Sequence, residues 1–404
     1  SEKNNIQMAQ DSTDIKETIG SLDDYVLLGR SGLRISPLCL GALGLGSNYE
    51  VSKEIFDYYY EKGGNFFDTA NFYNFGESER FLGEYIADKR SQVVLATKYT
   101  ANSTALMPNV RYNPNAGGNH RKSLVENIDA SLKRLGTGYV DLLYVHVWEF
   151  RTPIEEVIRS LDDVVRSGKA LYVAVSDTPA WVISRANTIA ELRGWSPFIG
   201  CQTRYNLLNR SLEYDIQSAC AELDVRKYIF SAVYYWILKC DCITDLLIFT
   251  MKIGIIPWGC VAEGFLTGKH TRESVANTRN SGDMRDMRNN AIMRLGSSET
   301  NWKILDEVTA IAAEINRTPA QVALNWVAQK PGVTSPLIGA RTKAQLIENL
   351  KALEFKLDDV SASSEVPFPY SLTLNFDKYL GKGIQTPDKY KAVLNTSQKS
   401  QEKY

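Results

Sequence analysis

From residue 37 onward the chain alternates between short apolar runs and longer amphipathic segments, the pattern of repeated βα units around a parallel sheet. The apolar runs are PLCLGA (37–42), NFFDT (65–69), VVLATK (93–98), YVDLLYVH (139–146), ALYVAVS (170–176), FIGCQT (198–203), IGIIPW (253–258) and SPLIGA (335–340). Between them lie helical stripes. In HRKSLVENIDASLKRLG, residues Leu124, Ile128, Leu132 and Leu135 recur on one face and Gly136 supplies a stop. In PIEEVIRSLDDVVRSG, Pro153 opens the helix, Ile154, Val157, Ile158, Leu161 and Val165 form the stripe, and Gly168 closes it. Eight strand-like runs, each followed by a helix or long loop, predict a single-domain α/β fold, a (β/α)₈ TIM barrel. YVLLGRSGLRIS (25–36) precedes it as a β-hairpin turning at GRSG. A doubly wound open sheet is the alternative. It lacks support because no GxGxxG follows the first run, where a nucleotide-binding sheet carries its phosphate turn.

One segment breaks the rhythm. After LEYDIQSACAELD, the stretch from Val225 to Lys252 is rich in aromatic and large apolar residues but fits neither a helical nor an alternating period. Lys239 and Asp241 interrupt it too soon for a membrane span. Residues 1–24 are polar, lack the apolar core of a signal peptide, and are expected to be a disordered lead-in. The barrel is expected to occupy 25–360, and 361–404 to form a C-terminal loop and polar tail.

Composition narrows the function classes. The formal net charge is −1, with 46 Lys and Arg against 47 Asp and Glu, so there is no global attraction to nucleic acid or to a membrane surface. The six cysteines are scattered and form no paired CxxC spacing, and there are only three histidines, so no metal site is expected. Scattered thiols in a long soluble chain suit a reduced, cytoplasmic protein.

In a parallel barrel the loops converge over the C-terminal ends of the strands, so position identifies candidate chemistry. Asp68 lies near the end of the second run and Tyr73 in the loop after it; Lys98 ends the third run and His146 the fourth. Taken singly, a tyrosine among 21 reads as packing and a strand-end histidine as a hydrogen-bonded core residue. Four protic side chains on one rim are harder to treat as independent accidents. A buried ammonium needs a counter-charge, and Asp68 is the nearest one for Lys98. An ammonium beside Tyr73 would lower the phenol's high pKa toward that of a useful acid. His146 would hydrogen-bond the same substrate oxygen. Such a site protonates an oxygen on which negative charge develops as a carbonyl carbon accepts hydride, and the hydride must come from a cofactor.

These residues resemble the aldo-keto reductase superfamily. FFDTANFYNFGESERFLGEYI is similar to its first signature, LATKY carries its lysine, and DLLYVHVWE its histidine; GKALYVAVSD, QTRYNLLNRSLE, IIPWGCVAEGFLTGKH and PLIGARTKAQLIENL follow in order. Within it the chain is most similar to the aryl-alcohol dehydrogenase-like and norsolorinic acid reductase-like branch. The resemblance implies a barrel that binds NADP(H) in extended form across the strand ends. It implies a tetrad of Asp68, Tyr73, Lys98 and His146, with Tyr73 as proton donor in reduction. Ser176, Asp177 and Gln202 match positions that grip the carboxamide, with Asp177 in place of a more usual asparagine. Trp258 matches the aromatic that stacks on the nicotinamide, and Gly259, Val261 and Lys269 match the loop over the pyrophosphate. Arg341, Gln345, Glu348 and Asn349 match the adenosine end, where Arg341 or Lys343 would pair with a 2′-phosphate.

The implied activity is reduction of an aldehyde or ketone to the alcohol, on an aromatic or polyketide-type small-molecule substrate of secondary metabolism. His146, Trp148 and the loop 99–123 would shape its pocket. No nucleic-acid, membrane or obligatory protein partner is expected. The rival reading is a cofactor-sensing regulatory subunit with little turnover, like the related potassium-channel β subunits. Relatives of this branch pass from a helix ending like AELD directly into a strand like IGIIPWG, so Val225 to Lys252 is an insertion. Valine codons begin with GT and a lysine codon can end in AG, which makes a retained short intron one explanation and a lineage-specific insertion the other.

Overall fold

The computed structural model describes residues 20–102, 111, 113–222, 253–281 and 287–357. Its strands are β1 (Val26–Leu27), β2 (Arg34–Ile35), β3 (Cys39–Gly41), β4 (Phe66–Asp68), β5 (Val94–Tyr99), β6 (Val140–Val145), β7 (Ala170–Ser176), β8 (Phe198–Arg204), β9 (Gly254–Trp258) and β10 (Leu337–Ile338). The helices are α1 (Tyr49–Glu61), α2 (Glu77–Ile86), α3 (Arg121–Leu135), α4 (Ile154–Arg166), α5 (Ala180–Arg193) and α6 (Ile216–Glu222), then α7 (Arg272–Ser281), α8 (Met287–Gly296), α9 (Glu299–Glu314), α10 (Pro319–Ala328) and α11 (Lys343–Leu350). Strands β3 to β10 correspond one for one to the eight apolar runs, and they pair in parallel in the order β10-β3-β4-β5-β6-β7-β8-β9. The segment before β10 brings the ends of the sheet together: Thr334 N donates to Ile255 O at 2.8 Å and Ile255 N to Gly332 O at 3.2 Å. The fold is thus the (β/α)₈ barrel, and the open-sheet alternative falls.

The barrel has two apolar layers. One lies inside the strands and includes Phe66, Ala96, Leu142, Tyr144, Ala174 and Ile256; the other lies between strands and helices. The antiparallel β1–β2 hairpin closes the N-terminal end, placing Leu28 and Ile35 in the inner layer. Gly254 permits this plug, since a Cβ there would stand 2.7 Å from Leu28 Cδ1. Helix α3 buries Leu124, Ile128 and Leu135 and stops where Gly136 turns left-handed, φ 61°. In α4 the buried stripe ends at Val164, and Val165 is only half-buried, a one-residue departure from the predicted stripe. Residues 1–19, the whole 225–252 insertion with its two preceding residues (223–252), 282–286 and 358–404 lie outside the described residues, as do 103–110 and 112 of the loop after β5.

Candidate active site

Side chains alternate between the two faces of a strand, so residues two apart share the barrel interior. Phe66 and Asp68 share it on β4, as do Val94, Ala96 and Lys98 on β5. Leu142, Tyr144 and the following His146 do so on β6, and Ile256 and Trp258 on β9. Parity puts apolar side chains at the bottom of the barrel and protic ones at its C-terminal mouth. The register agrees, with Lys98 beside Tyr144 and Ser176 beside Gln202.

Lys98 and Asp68 are fully buried and form an ion pair. The Lys98 ammonium also donates to Thr69 O at 2.9 Å and to the Tyr73 hydroxyl at 3.4 Å. The second oxygen of Asp68 accepts from Gln202 Nε2 at 2.9 Å. Burial opposes the charge on Lys98, but Asp68 and Tyr73 outweigh it and raise the pKa, so the ammonium persists at neutrality.

Tyr73 reaches this pair because the turn after β4 is forced into an unusual path. Asn74, Phe75 and Gly76 have successive positive φ angles of 47°, 55° and 92°. Asn74 Nδ2 and the Ser78 hydroxyl tie the turn to Leu45 O, each at 2.9 Å. A Cβ at Gly76 would stand 2.7 Å from Arg134 Cδ. The fully buried Glu79 accepts from Thr97 Oγ1 at 2.6 Å and pairs with Arg134, fastening the start of α2 to the residue before Lys98. The expectation that Lys98 lowers the Tyr73 pKa is corrected: burial is the larger effect and the phenol is raised above its ordinary value, the ammonium offsetting only part. The phenol therefore stays protonated through the neutral range.

The His146 ring meets the Tyr73 ring edge-on, centroids 5.8 Å apart at 78°. Burial, then the Lys98 charge, pushes the imidazole down to about 3, so it is neutral. Its Nδ1 is buried without a partner, a polar atom left open at the mouth.

A cleft of about 1190 Å³ runs from Tyr73 and His146 across Ser176, Asp177, Gln202 and Trp258, past Gly259, Val261 and Lys269, to Arg341, Gln345, Glu348 and Asn349. Asp68 and Lys98 lie beneath its floor. Trp148 does not line it; the indole is buried in the outer apolar layer, and the Trp148 backbone N–H donates to Asp177 O at 3.4 Å. Gln202 uses its amide nitrogen on Asp68, which leaves its oxygen for the cleft. Asp177 accepts the Trp258 indole N–H at 3.0 Å. Lys269 and Arg341 have no ion pair among the described residues. Lys343 instead sits over the Tyr58 ring, 5.2 Å from its centroid. The sequence reading missed the lining residues of the β3–α1 segment, Gly41, Leu43, Ser47 and Asn48, although Gly41 ends a strand by the same rule that found the others. It also missed the ion pair of Arg204 with Glu263. Among the described residues no group of His, Cys, Asp and Glu could hold a metal ion, and no helix is long and apolar enough to cross a membrane.

The profile of the aldo/keto reductase family matches residues 37–235 and 246–364. The chain belongs to the aldo/keto reductase family. A norsolorinic acid reductase of Aspergillus flavus is 33% identical over 368 residues, 87% of this chain and 83% of that protein. A putative aryl-alcohol dehydrogenase of Saccharomyces cerevisiae is 33% identical over 344 residues, 82% of each chain. An NADP(+) aryl-alcohol dehydrogenase of Phanerodontia chrysosporium is 31% identical over 344 residues, 81% of this chain and 80% of that protein. As an aldo/keto reductase the chain is an oxidoreductase acting on carbonyl compounds. The family match is interrupted only at 236–245, within the atypical insertion.

Proposed function

We propose that this aldo/keto reductase uses NADPH to reduce an aromatic or polyketide-type aldehyde or ketone to the alcohol, with Tyr73 as the proton donor. The observation that carries the reading is the convergence of the Lys98 ammonium, the Asp68 carboxylate, the Tyr73 phenol and the neutral His146 at one mouth of the barrel. The cleft fits a dinucleotide by size and by chemistry. Its volume exceeds what a single drug-sized ligand occupies, and two cations that line it, Lys269 and Arg341, have no ion pair among the described residues and so offer charge for phosphates. The N-terminus of α11, capped by the Thr342 hydroxyl accepting from Gln345 N at 3.3 Å, adds a positive dipole end. A reduced nicotinamide bound in this cleft supplies hydride.

The chain's own residues do the rest. Ser176 and the free oxygen of Gln202 hold the carboxamide end, Trp258 offers a stacking surface, and Lys269 faces the pyrophosphate. Arg341 pairs with a 2′-phosphate, which favours NADP over NAD. His146, neutral, donates a hydrogen bond to the substrate oxygen and directs it toward Tyr73. Tyr73 transfers its hydroxyl proton to that oxygen, and Lys98 stabilises the phenolate left behind. Asp68 never touches substrate; it keeps Lys98 charged and in place.

An aromatic substrate is supported by the rim. Phe75 and Phe150 are exposed on the segments that follow β4 and β6, and Trp181 in the first turn of α5; Phe75 and Phe150 have positive φ angles. Exposed rings on strained backbone are costly unless they meet a ligand. The test is NADPH oxidation with a panel of aryl and alkyl aldehydes and ketones. Tyr73→Phe is expected to lose about 10²–10⁴-fold in rate while still binding NADPH. Equal turnover by the variant refutes Tyr73 as donor, and tight NADPH binding with no turnover by the wild type favours a sensing subunit.

A further inference from the structure

One interaction at the cleft wall is not used by the proposed reaction. The Trp258 indole N–H donates to Asp177 Oδ1 at 3.0 Å, and the Arg204 guanidinium lies 5.2 Å from the centroid of the same indole. Arg204 is itself ion-paired with Glu263, in the loop that follows Trp258. Asp177 and Glu263 both have left-handed backbone, φ 40° and 53°, which non-glycine residues adopt only where their surroundings impose it. For Asp177 the imposition is visible: its N–H donates to Gln202 O at 3.0 Å and its carbonyl accepts from Trp148 N. The turn is thereby pinned between β6 and β8, and the carboxylate is aimed across β8 at the indole on β9.

We infer that Asp177 and Arg204 are positioning residues that clamp the Trp258 indole, Asp177 by its edge and Arg204 by one face, leaving the other face to the cleft. A half-buried tryptophan on a barrel rim has two side-chain torsions to fix before it can serve as a flat platform. The hydrogen bond fixes the rotation of the ring in its plane, and the guanidinium fixes the plane. The Arg204–Glu263 pair couples that plane to the loop 259–264, which lines the cleft beside it. The presence of aspartate at position 177 then has a reason: its carboxylate oxygen is committed to tryptophan rather than free for a carboxamide. What the clamped face receives rests on the proposed nicotinamide site; the clamp itself does not.

The test uses the full chain labelled with ¹⁵N-tryptophan, the Trp258 indole resonance being assigned by its loss in Trp258→Phe. Asp177→Ala is expected to shift that resonance and speed its solvent exchange about tenfold, the worth of a hydrogen bond to a charged acceptor. Asp177→Asn, which keeps an acceptor oxygen, should restore most of the protection, and Arg204→Met should shift the resonance without exposing it. An indole resonance unmoved by Asp177→Ala overturns the clamp. NADPH affinity provides the functional arm. Asp177→Ala and Trp258→Phe are each expected to weaken it about 2–10-fold, and the double variant no further than Trp258→Phe alone. Additive losses show that Asp177 acts on the ligand directly and overturn its role through Trp258. A wild type with no NADPH affinity defeats the proposed function, while the indole measurement still decides the clamp.

Discussion

The buried pair under the cleft floor makes a quantitative prediction. Lys98 and Asp68 are both inaccessible to solvent, and among the described residues the ammonium's other hydrogen-bond partners are the Thr69 carbonyl and the Tyr73 phenol. Asp68→Leu leaves a buried positive charge without its counter-ion, and Lys98→Met leaves a carboxylate held by Gln202 alone. Breaking a buried pair in this way costs about 3–5 kcal/mol for each single change. Asp68→Leu/Lys98→Met leaves no charge behind, only the Gln202 amide and the Thr69 carbonyl short of a partner, a cost of about 1–3 kcal/mol. The double variant should therefore be more stable than either single one. Urea unfolding followed by far-ultraviolet circular dichroism measures all three against the wild type. A second sign follows from the charge. With Asp68 gone, burial is opposed only weakly, so the folded Lys98 pKa falls below its ordinary 10.5. The native state then prefers neutral lysine, and Asp68→Leu should gain stability as pH rises toward that value. A double variant as unstable as the sum of the singles refutes the argument that the two charges exist for each other. All three proteins should lack activity, so stability rather than turnover is the readout.

Three further outcomes are expected. His146, at about 3 when folded and 6.5 when unfolded, contributes stability that is fully present above 6.5 and is lost as pH falls toward 3. Between about pH 7 and about pH 5 it should account for about 2 kcal/mol of destabilisation, absent in His146→Asn; equal pH slopes for the two proteins contradict this. Glu79→Ala should cost about 3 kcal/mol by leaving Arg134 without its buried partner, and should lower turnover by loosening the Tyr73 turn. A variant as stable and active as wild type, in unfolding and in NADPH oxidation, removes Glu79 from that role. Deleting Val225 to Lys252 should preserve the barrel, because its flanks already meet, Ile253 N donating to Cys220 O at 3.4 Å. The shortened chain is expected to give more soluble protein of unchanged specific activity; an unfolded product defeats the reading, and a spliced transcript that still encodes the segment defeats the intron explanation.

Most of the architecture was legible because it rests on periodicity. Eight apolar runs separated by amphipathic stripes leave few alternatives to a barrel, and left-handed stops such as Gly136 mark helix ends through local sterics. Trp148 was misplaced for the opposite reason. It was grouped with the loop 99–123 around the substrate pocket, but it lies three residues beyond the end of β6, where strand parity no longer governs direction, and the side chain turns into the outer layer.

Residue order alone determined the strands, the inward parity of 68, 98, 146 and 258, and the identity of the groups at the mouth, because these depend on a two-residue repeat and on side-chain chemistry. The pKa balance at Tyr73 was not determined that way: a neighbouring ammonium can be inferred from a motif, but the burial that outweighs it depends on every atom that excludes water around the phenol. Nor was the Asp177–Trp258–Arg204 contact, which joins three strands through a hydrogen bond and a ring face. Such interactions exist only once the sheet has curled and brought its distant segments together.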